Sequence, residues 1–254
     1  DCYYAEGNSQ LMVSPGALDM AGIIVTPRKE DFDKKVKNMY IDVAKEFGDV
    51  PLEVANDGDV SALAGAIGLG KGNLMGLAMG TSEAVGYVDA DQNVLGWINE
   101  LAFAPVDLQE GAMQDEWSTD FGVGCKYFSQ DAVIKLAPWA GIEIPEDLSL
   151  ADKLKFVQKL MAEDDERAAK VYESIGCYLG HTLAYYYDLY SFKHVLLLGR
   201  VMSGKGGDLL LETCKKVLAD EYPEVSKAIN LALPDEKFRR VGQSMAAASL
   251  PEMK

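Results

Sequence analysis

LEVANDGDVSALAGAIGLGKGNLMGLAMGTSEAVGYV, residues Leu52 to Val88, is the stretch that decides the fold. Leu52 to Ala55 is a short apolar run that stops at Asn56-Asp57-Gly58, the chemistry of a buried strand ending in a turn. That places Asp57 at the C-terminal mouth of a strand. From Asp59, Val60, Leu63, Ala64 and Ile67 fall at helical spacing, with Asp59 available as N-cap and Gly68 to Gly72 closing the element. Leu74 to Met79 then reads as a strand, Gly80-Thr81-Ser82 as a tight turn and Ala84 to Val88 as the returning strand. A carboxylate and a glycine-threonine hairpin are thus expected to face one cleft.

Working outward, Phe32, Val36, Tyr40, Val43 and Phe47 recur at steps of three and four and predict one amphipathic helix over 31–47. Ile23 to Val25 is a short strand candidate, and residues 1 to 12 are irregular before a strand end at Val13. Helix, strand, helix in that order points to an α/β arrangement. Beyond the hairpin, Val94 to Ile98 is expected to add a third antiparallel strand. Helices are expected from Gln130 until Pro138, over Leu148 to Met161, from Asp164 to Tyr190, over Asp208 to Leu218 and over Phe238 to Leu250, with a buried strand at His194 to Leu198.

The composition narrows the function. A chain of 254 residues can bury a substantial core, and no low-complexity tract or internal repeat is visible. A formal charge of −16, from 40 acidic and 24 basic residues, repels a phosphate backbone and speaks against nucleic acid as a partner. Cys2, Cys125, Cys177 and Cys214 are scattered, without a C-x-x-C pair, as expected of reduced thiols rather than zinc ligands. No apolar run approaches the roughly 18 residues that span a bilayer, and no signal peptide opens the chain, so no membrane partner and a cytoplasmic location are expected.

Three motifs have plain structural readings. Gly199-Arg-Val-Met-Ser-Gly204-Lys205-Gly206 resembles the phosphate loop G-x-x-x-x-G-K-[ST], but Gly206 stands where the hydroxyl should be, and a glycine-rich turn between strand and helix is the better reading. Asp120-Phe121-Gly122 copies a protein-kinase triplet without its partners. His181 and His194 read as structural. Asp57 is sharper. An Asp between Asn and Gly is ordinarily a turn former, but together with Gly80-Thr81, where glycine admits a polyphosphate and threonine donates to it, the pair points to phosphoryl transfer.

In order and spacing these motifs resemble the ROK family (repressor, open reading frame, kinase) of sugar kinases and relatives, within the actin-like ATPase superfamily. Val13-Ser-Pro-Gly-Ala-Leu-Asp19 is similar to the family's P-G-x-v-d turn, and Asn56-Asp57-Gly-Asp-Val-Ser-Ala-Leu-Ala64 to its N-D-x-N-x-x-A-L element. Asn73 to Gly86 resembles the phosphate hairpin, and Glu100-Leu-Ala-Phe-Ala-Pro-Val-Asp107 the E-[IL]-G-H-x-x-[VI]-D motif. Tyr172 to Gly180 and Val195 through Leu211 resemble the long helix, the adenosine-side strand and the helix after it.

The resemblance implies an α/β, two-lobed, ribonuclease-H-like fold. Residues 1–56 would be part of an N-terminal lobe, 57–234 the C-terminal lobe and 235–254 a helix returning towards the first. It implies Asp57 as general base, Asn56 and Glu100 on the sugar, and Gly80, Thr81, Gly199, Arg200 and Ser203 near the nucleotide, with ATP and Mg2+ as cofactors. The partners implied are a sugar and a nucleotide, with a homodimer as the assembly.

The departures are specific. The family's D-x-G-x-T loop is absent from these residues, so the N-terminal lobe is expected to be incomplete. Phe103 replaces a sugar- and zinc-binding histidine, and only Cys125 remains of a cysteine cluster, so zinc is not expected. Ser82-Glu83 interrupts the phosphate hairpin and would bring a carboxylate beside a triphosphate. The resemblance thus leaves a non-catalytic carbohydrate- or nucleotide-binding relative as the alternative to a kinase.

Overall fold

A computed structural model of the chain describes residues 2–5, 10–13, 29–48, 55–97, 99–234 and 246. It divides into two compact units, residues 1–56 with 247–254, and residues 57–246. The expected strand at Leu52 to Ala55 lies outside the described residues except at Ala55, the one at Ile23 to Val25 lies wholly outside them, and the expected helix over 238–250 does so except at Ala246.

In the first unit β1 (Cys2–Ala5) pairs antiparallel with β2 (Gln10–Val13), Cys2 opposite Val13 and Ala5 opposite Gln10. The single helix expected over 31–47 is instead two, α1 (Lys29–Lys35) and α2 (Met39–Glu46). The break falls where Val36 and Lys37 both donate to the Phe32 carbonyl and Asn38, a residue that competes with helical bonding, precedes the second helix.

The second unit is built on a four-stranded sheet in the order β4-β3-β5-β6. β3 (Leu74–Met79) and β4 (Glu83–Val88) form the expected hairpin, while β5 (His194–Leu198) runs parallel to β3 and to the edge strand β6 (Asn230–Ala232). The pleat sorts the side chains with period two. On one face Gly76 and Gly86, paired in register, leave room for the backbone of α3 (Asp57–Leu69): a Cβ on Gly86 would lie 2.2 Å from the Gly58 carbonyl oxygen. On the other face Met75, Leu77, Met79, Val85, Tyr87, Val195 and Leu197 enter the main core.

That core is completed by four helices, α4 (Gln130–Trp139), α5 (Leu150–Ala162), α6 (Glu166–Tyr190) and α7 (Gly204–Glu221); a short helix, α8 (Pro223–Ala228), leads to β6. Ser129, Ser149 and Asp165 cap α4, α5 and α6 through side-chain oxygens that accept backbone N–H groups, satisfying donors a helix start leaves open. α6 buries the stripe Val171, Ile175, Leu179 and Leu183, the spacing read from sequence. Pro138 falls in the last turn of α4, which ends one residue later.

Besides the helix over 31–47, three expectations are corrected. Residues 1–12 are not irregular throughout, since β1 and most of β2 fall within them. Of the strand expected over Val94 to Ile98, the described residues 94–97 form none: Val94 makes an isolated bridge to Val88, Gly96 turns the chain at φ +66°, and Trp97 stacks on Tyr87 at 5.8 Å. α7 begins at Gly204, four residues before Asp208, because the glycine-rich turn itself is drawn into the helix.

Candidate functional site

α3 begins at Asp57 rather than after it, so Asp57 stands exposed in the first turn of the helix. Its Oδ1 accepts the Gly58 N–H at 2.9 Å, and its carbonyl accepts the Ser61 hydroxyl at 2.8 Å. Asp59 is not the N-cap. Its buried Oδ1 accepts Asn99 Nδ2 at 2.8 Å and the Tyr87 N–H at 3.4 Å, so bonds from distant residues prevail over a local cap. Burial raises the Asp59 carboxyl above its ordinary range, although both hydrogen bonds oppose it.

Glu100, half-buried, leads a short 3-10 turn, Leu101–Phe103, whose first bond runs from the Phe103 N–H to the Glu100 carbonyl. Burial raises the Glu100 carboxyl, and repulsion from Asp57 and then Asp59 raises it further. Asp57 and Glu100, far apart in sequence, therefore share one acidic region. Such a region can take a proton from a hydroxyl or grip several hydroxyls at once. Asn56 is exposed at the end of the first unit, next in the chain to Asp57.

The expected nucleotide residues collect at another place. β3 and β5 are parallel and in register to Ala78 and Leu198, so Gly80-Thr81 and Gly199-Arg200 leave the sheet side by side at its C-terminal edge, where open α/β sheets bind ligands. Gly199 adopts φ +94° and lies flat on the neighbouring strand: a Cβ there would meet the Met79 carbonyl oxygen at 2.2 Å. Gln130 donates its backbone N–H to the Gly80 carbonyl at 2.9 Å, and Gln158 Nε2 donates to the Arg200 carbonyl at 2.8 Å, so both turns are tied down. Thr81, Arg200 and Ser203 are exposed, and α7, an 18-residue helix, starts immediately after Ser203 with its positive end and open N–H groups at this edge. A glycine floor, two hydroxyls and a guanidinium form a donor set suited to phosphate.

The phosphate-loop reading of 199–206 fails on packing. Gly206 lies under the Tyr172 ring, where a Cβ would be 2.5 Å from Cζ, and Lys205 Nζ turns away to Asp164 Oδ1 at 2.6 Å and the Ala162 carbonyl. Gly206→Ser, which completes the motif on paper, is therefore expected to lower stability by about 1–3 kcal/mol through overpacking without creating nucleotide affinity. Denaturant unfolding together with nucleotide titration of the variant measures both.

Glu83 resolves the conflict seen in the sequence. It opens β4 on the core side, 5 % exposed, so its carboxyl is packed inside and does not share the exposed surface of Thr81 and Ser82. Among the described residues neither of its oxygens has a hydrogen-bond partner, and burial pushes the group up to about 8.

The segment 107–128 is held by groups the sequence did not single out. Lys126, buried, places Nζ 2.6 Å from Glu116 Oε2, in contact with Asp131 Oδ2 and 3.7 Å from Asp115 Oδ1. Asp107 accepts Tyr127 OH at 2.6 Å and Tyr178 OH at 3.0 Å on one oxygen and the Gln109 N–H on the other. Burial alone would raise the Asp107 carboxyl, but these bonds outweigh it and hold it low. Cys125 donates to Asp115 at 3.6 Å and is pushed up to about 12, chiefly by burial and then by Asp115, so it is a protonated thiol. Among the described residues no group of three or more His, Cys, Asp or Glu is arranged to hold a metal ion. Phe103 packs instead against Trp117, with ring centroids 5.2 Å apart. His181 bonds Tyr222 OH through Nδ1 at 2.9 Å. Among the described residues no helix is long and apolar enough to cross a membrane.

No protein-family model matches the chain, and no curated protein matches it in sequence. Solved structures do match in shape. The ROK hexokinase from Thermus thermophilus superposes with a TM-score of 0.63 at 19% identity, covering 82% of this chain and 67% of its own. A ROK-family glucokinase from Streptomyces griseus, solved with glucose and AMPPNP, gives 0.65 at 16% identity, covering 84% and 72%. A ROK-family transcriptional regulator, homologue of the E. coli MLC protein, gives 0.65 at 19% identity, covering 83% of this chain and 55% of its own. Kinases and a regulator share this architecture, as the motifs around Asp57, Gly80 and Gly199 led one to expect. The chain has the α/β actin-like ATPase fold of the ROK family.

Proposed function

We propose that the protein is an ATP-dependent carbohydrate kinase that transfers the terminal phosphoryl group of ATP to a sugar hydroxyl, with Asp57 as the general base. The observation that carries this reading is the exposed carboxylate of Asp57 at the start of α3, sharing an acidic region with the half-buried Glu100. In phosphoryl transfer the protein contributes positioning and charge placement more than covalent chemistry, so a base in the right place is the principal requirement. Asp57 accepts the hydroxyl proton as the acceptor oxygen becomes a nucleophile, while Glu100 and Asn56 bind the remaining hydroxyls.

Gly80, Thr81, Gly199, Arg200 and Ser203 would hold the nucleotide through backbone approach, hydroxyl donors and the guanidinium. ATP bound there would supply the activated phosphoryl group, and Mg2+ accompanying it would neutralise phosphate charge. Glu83 does not oppose this, since its carboxyl is turned into the core. Gly86, beneath Gly58, is three residues from the turn end of β4, on the order of 10 Å along the strand, so donor and acceptor sites lie within reach of one bound substrate pair.

The test is ADP release from magnesium-ATP across a panel of hexoses and N-acetylhexosamines. Sugar-dependent release supports the kinase. Thermal stabilisation by sugar or nucleotide with no release favours a binding protein on the same scaffold.

A further inference from the structure

Glu83 is a fully buried carboxyl group for which the proposed chemistry has no use. It occupies the first position of β4, opposite Met79 in register, on the core face of the sheet. Its Oε2 lies against the Gly124 Cα, so closely that a Cβ there would be 2.1 Å away, and the Leu101 carbonyl oxygen lies 2.7 Å from the same point. Three elements thus meet on it: the strand, the 3-10 turn Leu101–Phe103 and the 3-10 turn Gly124–Lys126.

Among the described residues no cation neutralises it. The titratable groups that face it are Cys125 from the second 3-10 turn and Tyr186 from α6, both held protonated mainly by burial. Tyr186 OH donates to the Leu101 carbonyl at 3.3 Å, and the ammonium of Lys126, on the second 3-10 turn, is directed at Asp115, Glu116 and Asp131. A carboxylate left in such a place has no charge partner and no donor, and that is costly. Water is close, because the next residues towards the N-terminus, Ser82 and Thr81, are exposed.

We propose that Glu83 is a proton-controlled latch: neutral, it stays packed between β4 and the two 3-10 turns and holds the Gly80–Ser82 turn to the 99–128 segment; ionised, it swings out to water at that turn and loosens both. The sign follows from linkage. A carboxyl whose folded-state pKa lies above its ordinary 4.5, at about 8, stabilises the closed packing fully below 4.5 and loses that contribution as pH rises to about 8. Opening is therefore favoured progressively between those values and levels off above them. A carboxylate emerging beside Thr81 would also repel an anion bound there; this consequence alone rests on the nucleotide site proposed above.

The experiment is hydrogen exchange at the amides of 80–83 and 99–128, corrected for intrinsic rates, in wild type and Glu83→Gln without nucleotide. Carboxyl carbon NMR of the wild type follows the Glu83 titration itself. The latch gives an opening constant that rises about tenfold per pH unit between pH 5.5 and 7.5 in wild type and stays flat in the variant, with a Glu83 titration near 8. Equal pH dependence in the two proteins, flat exchange in wild type, or a Glu83 carboxyl that titrates like the exposed glutamates overturns it. If Glu83→Gln does not fold, the wild-type titration and exchange decide alone.

Discussion

Lys126→Met is expected to destabilise the protein by about 3–5 kcal/mol, the scale of removing one partner from a buried ionic group. The ammonium is 6% exposed and touches three carboxylates on two elements, Asp115 and Glu116 in the 107–123 loop and Asp131 in the first turn of α4. Methionine fills the volume of the side-chain stem but leaves the buried Asp115 without its nearest cation, and an uncompensated charge there costs more than the lost attraction. The effect also has a pH signature. Glu116 is held down to about 2, first by its bond from Lys126 and then by that from Lys135, and Asp115 is held low by backbone and side-chain bonds from Ser118 and by Lys126, despite burial. Depressed carboxyls contribute stability above their ordinary range and lose it as pH falls through the folded-state value. Wild type should thus weaken as pH drops from about 4.5 towards 2, and the variant should weaken less over that interval. Urea unfolding at pH 7 measures the first effect, and unfolding at a series of pH values from about 4.5 down towards 2 measures the second; a change at pH 7 below about 0.5 kcal/mol would reduce the cluster to a solvated surface pair.

Asp57→Asn is expected to lower the rate of sugar phosphorylation by about 10²–10⁴-fold, the usual contribution of a positioned general base. Asparagine keeps the shape and can still accept the Gly58 N–H through its carbonyl oxygen, so stability should hardly change. Affinity for the sugar should also be largely kept, since Glu100 and Asn56 carry the hydroxyl contacts in this account. A loss confined to kcat, with KM near its original value, separates a base from a binding residue. Loss of sugar affinity at unchanged kcat would assign Asp57 to binding instead.

Much of this was legible in the sequence because the decisive elements are local. The Leu74 to Val88 hairpin, the strand at His194 and the long α6 stripe follow from periods of two and 3.6 within single segments. Asp57 stood out because Asn-Asp-Gly ends an apolar run. What was not legible depends on partners distant in the chain. Asp59 looked like a cap, but Tyr87 of β4 and Asn99 of the loop beyond it donate to its carboxylate. Glu83 looked like a charge beside the phosphate turn, and only its place in the pleat, in line with Val85 and Tyr87, shows that it faces the core. Lys126 carries no sequence signal at all, because its three acids come from segments before and after it. The edge strand Asn230–Ala232 is three residues long and paired on one side, too short for a period to show.

Identity of 16–19% to the kinase structures carries the fold and leaves chemistry to the residues. The fold is common to kinases and to a regulator, so the choice between them rests on Asp57, Glu100 and the Gly80 and Gly199 turns. One measurement addresses that choice most directly: mass analysis of the sugar after incubation of the purified protein with magnesium-ATP, in wild type and Asp57→Asn side by side. Wild type is expected to yield a sugar carrying one added phosphoryl group, and the variant almost none. Nucleotide and sugar binding with no phosphorylated product, or equal product from both proteins, would contradict it.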